Sequence, residues 1–261
     1  MDTFDSLEEL VEERKKDFHM LIKFGSKENL EKLQHGQVYM KNLKYYNELE
    51  EKEGSGKPDK YDGKWRMNNN KVQLRDPKTN DLIAAGTAQT VVLSFGYEKC
   101  PIYCLFSYDF RNCGSFTTDS EKNICTIHTS FSDEQRKKLE TGLGEYALII
   151  LNTEAFLQRI KAAFEAEGIE YLLGKVQYNT GNSIERVESI LQDNRNIAFN
   201  KDADDFSYQQ ELRYFVTNRP VDDHLIVQMD SLEDITQLIS TEELLKLRIE
   251  ISQEFTNSAA K

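Results

Sequence analysis

At 261 residues with a formal net charge of −12, the chain is long enough to bury a sizeable core. It is too acidic for tight, nonspecific adhesion to nucleic acid, which needs clustered Lys and Arg to displace phosphate counterions. Its 14 Phe and 12 Tyr are the content of a folded chain, and no apolar run approaches the roughly 20 residues that span a bilayer, so a cytoplasmic protein without membrane contact is expected.

The element pattern predicts an α+β fold with mixed and antiparallel sheets and peripheral helices, in a single domain over 1–261. Residues 5–17 read as an amphipathic helix, with Leu7, Leu10 and Val11 on one stripe. A strand over Met20–Phe24 follows. Ser26 then caps a helix carrying Leu30 and Leu33, Gly36 stops it, and Gln37–Met40 is a second strand. From about 43 to 80 the chain turns polar, which predicts a helix end and a mobile insertion. The turn residues Asp76-Pro77-Lys78-Thr79-Asn80-Asp81 within it predict a hairpin. Residues 88–95 and 101–108 are β-rich, and Val91-Val92-Leu93-Ser94-Phe95 reads as the central strand.

Downstream, a helix is expected after Ser132-Asp133-Glu134, a buried strand over Tyr146–Leu151, and a helix from Asn152-Thr153-Glu154 to near Gly168. Strands are expected over Tyr171–Tyr178, Tyr208–Val216, His224–Met229 and Leu247–Ile251, with a helix over Ile184–Leu191.

Cys100, Cys104, Cys113 and Cys125 lack a C-x-x-C pair and read as free thiols rather than a zinc site or disulfides. His19, His35, His128 and His224 are scattered, and there is no Gly-x-Ser-x-Gly elbow and no phosphate-binding glycine loop. A magnesium nuclease built on Asp204, Asp205 or Glu211 ranks behind other chemistries, because the acid-x-Lys dyad is missing.

The most informative stretch is Phe206-Ser207-Tyr208-Gln209-Gln210-Glu211, continuing into Leu212-Arg213-Tyr214-Phe215-Val216. On a strand, Gln209 and Glu211 share a face, a carboxylate beside a neutral amide suited to a cationic transition state. A structural ion pair between Glu211 and Arg213 on a sheet surface explains the same residues without catalysis.

The hexapeptide resembles the aromatic-x-x-Gln/Glu-x-Glu signature of the ADP-ribosyltransferase superfamily. Leu21-Ile22-Lys23-Phe24-Gly25-Ser26, with Gly36-Gln37-Val38-Tyr39, resembles its strand, Gly-Ser, helix, Gly, strand opening. The resemblance implies a split β-sandwich that takes NAD as substrate, with Glu211 stabilising the oxocarbenium ion, Gln209 positioning the acceptor, and Phe206 presenting the acceptor-binding turn. It further implies Lys23 and Ser26 as NAD-binding residues, with Tyr39 or Ser94 in the middle motif. Lys23 and Phe24 stand where the family places Arg or His, and a lysine replaces the guanidinium fork only as a point charge.

Taken together, Lys23-Phe24, Gly36-Gln37-Val38-Tyr39, Ser94-Phe95, Val176-Gln177-Tyr178 and Phe206 to Arg213 also resemble an uncharacterised bacterial and phage family without assigned chemistry. The resemblances imply a toxin or phage-conflict effector that modifies a protein side chain or a nucleobase, held in check by an inhibitory partner protein. The alternative is a non-catalytic protein of the same fold that binds a nucleotide or a partner protein.

Overall fold

The computed structural model describes residues 19–49, 61–109, 115–119, 121–122, 124–128, 131, 133–179, 182–202 and 206–252. The helix expected over 5–17, Asp204 and Asp205, Cys113 and the segment 50–60 lie outside them.

The first half of the chain forms β1 (His19–Gly25), α1 (Lys27–Gln34), β2 (Gln37–Asn42), α2 (Leu43–Leu49), β3 (Lys64–Arg75), β4 (Leu82–Ser94), β5 (Pro101–Asp109), β6 (Ser115–Asp119) and β7 (Ile124–His128). The second half forms α3 (Asp133–Gly142), β8 (Tyr146–Ile150), α4 (Thr153–Ala166), β9 (Tyr171–Lys175), β10 (Gln177–Tyr178), α5 (Ile184–Gln192), β11 (Asn200–Lys201), β12 (Glu211–Val216), β13 (His224–Gln228), β14 (Thr236–Ser240), α6 (Thr241–Leu244) and β15 (Arg248–Ser252). The architecture is α+β, with mostly antiparallel strand pairs.

The chain divides into two compact units. The first holds the described parts of Met1–Gln37, Leu105–Ala163 and Gln228–Lys261. Its main sheet runs β5-β1-β8-β14, every pair antiparallel, with Leu21 between Ser107 and Ile150. Leu21, Ile22, Leu148 and Ile149 are buried there, as continuous apolar runs require of central strands. Helix α1 begins because the Ser26 hydroxyl accepts the Asn29 amide, and it buries Leu30 and Leu33. It ends at Gly36, where φ is 89° and a side chain would collide with the Met229 carbonyl. A smaller antiparallel sheet, β6-β7-β15, belongs to the same unit.

The second unit comprises the described parts of Val38–Cys104 and Phe164–Val227. Its strands run β13-β2-β5-β12-β9, and β5 lends its first residues here and its later ones to the first unit. Leu43, Ile102, Ala198, Phe199 and Phe215 form its core cluster. Beside it lie a short parallel pair, β10 with β11, and the long hairpin of β3 with β4.

Three expectations change. Residues 91–95 are not a central strand: among the described residues β4 pairs with β3 alone, and Val92 and Leu93 are exposed. A β-branched apolar run signals a strand without saying which neighbours it finds. Of the polar stretch 43–80, residues 50–60 lie outside the described residues, and the described parts are α2, β3 and a tight turn in which the Asp76 carboxylate accepts the Lys78 and Thr79 amides. The strand of the motif begins at Glu211 rather than Tyr208, because Ser207–Gln209 form a 3-10 turn closed by Gln210 in the left-handed region at φ 41°.

Candidate functional site

Glu211 opens β12 and faces inward with Arg213, the two side chains on one face of the strand as period-two spacing dictates. Glu211 is 7% exposed and Arg213 fully buried, so the pair lies in the core of the second unit rather than on a sheet surface. The Arg213 guanidinium forks onto Asp62, at 2.7 and 2.9 Å to its two oxygens, and onto Glu211 Oε2 at 2.8 Å. It also donates to the Ala198 carbonyl at 2.6 Å.

Lys201 completes the cluster. Its Nζ donates to Glu211 Oε1 and, at 2.8 Å, to Gln209 Oε1, and it lies 3.5 Å from Asp62 Oδ2. The Phe206 ring lies beneath it, 5.5 Å from Nζ to the ring centre. Two cations and two carboxylates therefore cancel inside the unit. Burial alone would push the Glu211 carboxyl up, but the Arg213 and Lys201 charges outweigh it and hold the carboxyl well below the usual range. For Lys201, burial works to lower the pKa, and the Glu211 and Asp62 carboxylates reverse it to a net rise.

Local structure explains how the residues meet. Parallel pairing of β10 with β11 sets Tyr178 opposite Lys201, and the Tyr178 hydroxyl accepts the Glu211 amide at 2.9 Å. The Glu211 carbonyl in turn accepts the Val176 amide at 2.9 Å. Gln209 reaches Lys201 from the 3-10 turn and not from a shared strand face. The left-handed Gln210 redirects the chain between them.

The remaining sequence candidates make other contacts. Tyr39, 44% exposed on β2, stacks on His224 with ring centres 5.0 Å apart, and Lys41 lies 4.7 Å over the ring of nearby Tyr45 while pairing with Asp223. Ser94 ends β4 and donates its hydroxyl to Glu98. Lys23 and Ser26 belong to the first unit, Lys23 in register with Leu148 on β8 and Ser26 capping α1. Phe24, at the position where the resemblance expects Arg or His, packs edge-on against Phe106.

Sequence reasoning misses Asp62 and Lys201. Asp62 sits in a polar stretch 151 residues from Arg213, and its only local signal is the turn-forming Asp62-Gly63 pair. Cys100 and Cys104 are not disulfide-bonded, and no group of three or more His, Cys, Asp or Glu is placed to hold a metal among the described residues. Comparisons with known protein families, curated proteins and solved structures give no match.

Proposed function

We propose that the protein is a non-catalytic binding protein with an ADP-ribosyltransferase-like split β-sandwich, one that takes up a nucleotide or a partner protein without turning it over. The state of Glu211 carries this reading: both carboxylate oxygens are occupied by cations, and the group is 7% exposed. A carboxylate that stabilises a developing oxocarbenium ion needs surplus negative charge aimed at the ribosyl carbon. Here that charge is spent on Arg213 and Lys201. The signature then acts as a core lock that holds the turn from Phe206 to Gln210.

A second reading, NAD-dependent ADP-ribosyl transfer by a toxin or phage-conflict effector, is favoured by one observation: Phe206, Gln209 and Glu211 all meet at Lys201. In that reading Lys201 leaves Glu211 when NAD binds, and Glu211 then faces the oxocarbenium ion as nicotinamide departs. Gln209 positions the acceptor, a protein side chain or a nucleobase.

Thermal shift with NAD, ADP-ribose and nicotinamide, beside nicotinamide release and label transfer from radioactive NAD, separates the two. The binding reading expects ADP-ribose to raise the melting temperature with no nicotinamide released. Nicotinamide release by the wild type that falls in a folded Gln209→Ala variant would overturn it in favour of transfer. No shift with any of the three ligands removes nucleotide binding and leaves the partner protein.

A further inference from the structure

We propose that the Lys201 ammonium is an internal plug in an organic-cation site built by Phe206, Gln209, Glu211 and Asp62. A nucleotide with a positively charged ring, which NAD has and ADP-ribose lacks, takes the place of the ammonium when Lys201 withdraws. The inference rests on the nucleotide-binding side of the reading above and adds to it how the site is kept closed.

Four unlike groups meet at one atom. Lys201 Nζ donates to Glu211 Oε1 and, at 2.8 Å, to Gln209 Oε1. It lies 3.5 Å from Asp62 Oδ2 and 5.5 Å from the centre of the Phe206 ring. Two carboxylates and an amide oxygen accept hydrogen bonds from an ammonium, and an aromatic face adds the cation–π attraction that suits an organic cation.

The walls and the plug come from different elements. Phe206, Gln209 and Glu211 belong to the turn and the start of β12, whereas Lys201 arrives from the two-residue β11. The carboxylates are also held in place without it. Arg213 binds both oxygens of Asp62, at 2.7 and 2.9 Å, and Glu211 Oε2 at 2.8 Å, which leaves Oε1 to Lys201. With Lys201 withdrawn, two carboxylates face one guanidinium, and the surplus negative charge is aimed at the place Nζ occupied. A buried charge left unpaired in this way is costly until another cation arrives.

The turn is the side from which the site opens. Ser207 is exposed and Tyr208, Gln209 and Gln210 are half-buried, while Phe206 and Glu211 behind them are buried. Gln210 holds φ 41°, a left-handed conformation in a residue with a Cβ, and strain of this kind gathers at ligand clamps and switches. A turn that opens relieves the strain and parts Gln209 and Phe206 from Nζ in one movement.

Thermal shift on the full chain tests this with Lys201→Ala, which removes the heavy atoms of n-propylammonium and nothing more. NAD is expected to raise the melting temperature of the variant by about 2–4 °C more than that of the wild type, while ADP-ribose shifts both alike. Adding n-propylammonium chloride is expected to cancel the gain by refilling the site, and n-propanol, which has the size without the charge, is expected to leave it. Lys201→Ala with Asp62→Asn, in which Arg213 and Glu211 still balance, takes the same measurements where the single variant does not melt cooperatively. A lysine that serves packing alone gives a variant with no NAD gain, and that result would overturn the proposal. So would a gain that ADP-ribose shares or that n-propylammonium leaves intact. The plug and the nucleotide reading fail separately: ADP-ribose that stabilises both proteins without an NAD gain removes the plug alone, and no shift with either nucleotide removes both.

Discussion

Glu211 shows how one residue's surroundings decide its chemistry. Removing its charge leaves Lys201 and Arg213 facing Asp62 alone, two buried cations against one carboxylate. Glu211→Gln is therefore expected to lower stability by about 3–5 kcal/mol, the cost typical of breaking a buried pair, read as a fall in the urea midpoint. Arg213→Met is expected to cost a similar amount, because Asp62 and Glu211 are then left buried with Lys201 as their one cation. Gln210 makes a different point. It holds a left-handed conformation at φ 41°. Gln210→Gly is expected to be neutral or to stabilise by up to about 1 kcal/mol, and Gln210→Val to destabilise by more than that. Chemical denaturation of the two variants side by side checks the sign. The Glu211–Arg213 pairing is legible from their spacing, but its burial is not, since the same i, i+2 pattern fits a solvent-facing strand.

At the scale of elements, local signals are read correctly where they are self-contained. The Ser26 cap, the Gly36 stop and the Asp76 turn each satisfy their backbone groups within a few residues, and each forms as its sequence dictates. Gly36→Ala is expected to cost about 1–3 kcal/mol or more, because it adds left-handed strain and drives Cβ into the Met229 carbonyl. A lowered midpoint with an unchanged m-value would confirm a local effect. Elements whose role depends on partners are less legible. The run Val91-Val92-Leu93 has the composition of a buried strand, yet it lies on a two-stranded ribbon. Strands β6 and β14 are short and polar, and hydrogen bonding to neighbours rather than side-chain periodicity defines them.

Over the whole molecule, the buried charges set the pH range of stability. The Glu211 carboxyl is held below its ordinary value of 4.5, so its contribution is present above that value and is lost as the pH falls below it. The Lys201 ammonium is held above its ordinary value of 10.5, so its contribution is present below that value and is lost as the pH rises through the folded value. Equilibrium denaturation between pH 3 and pH 10 is expected to show a plateau with an acid limb, and the limb should be shallower in Glu211→Gln. No helix among the described residues is long and apolar enough to cross a membrane. The sequence by itself determined the α+β class, most strand and helix positions, the caps, and the convergence of interest on residues 206–213, because these follow from periodicity and from backbone groups satisfied nearby. Only the tertiary structure decided that Glu211 is matched by Lys201 and Asp62 is matched by Arg213, and that β4 stands on an open ribbon. Those outcomes depend on contacts between residues 10 to 151 positions apart, and no local spacing encodes them.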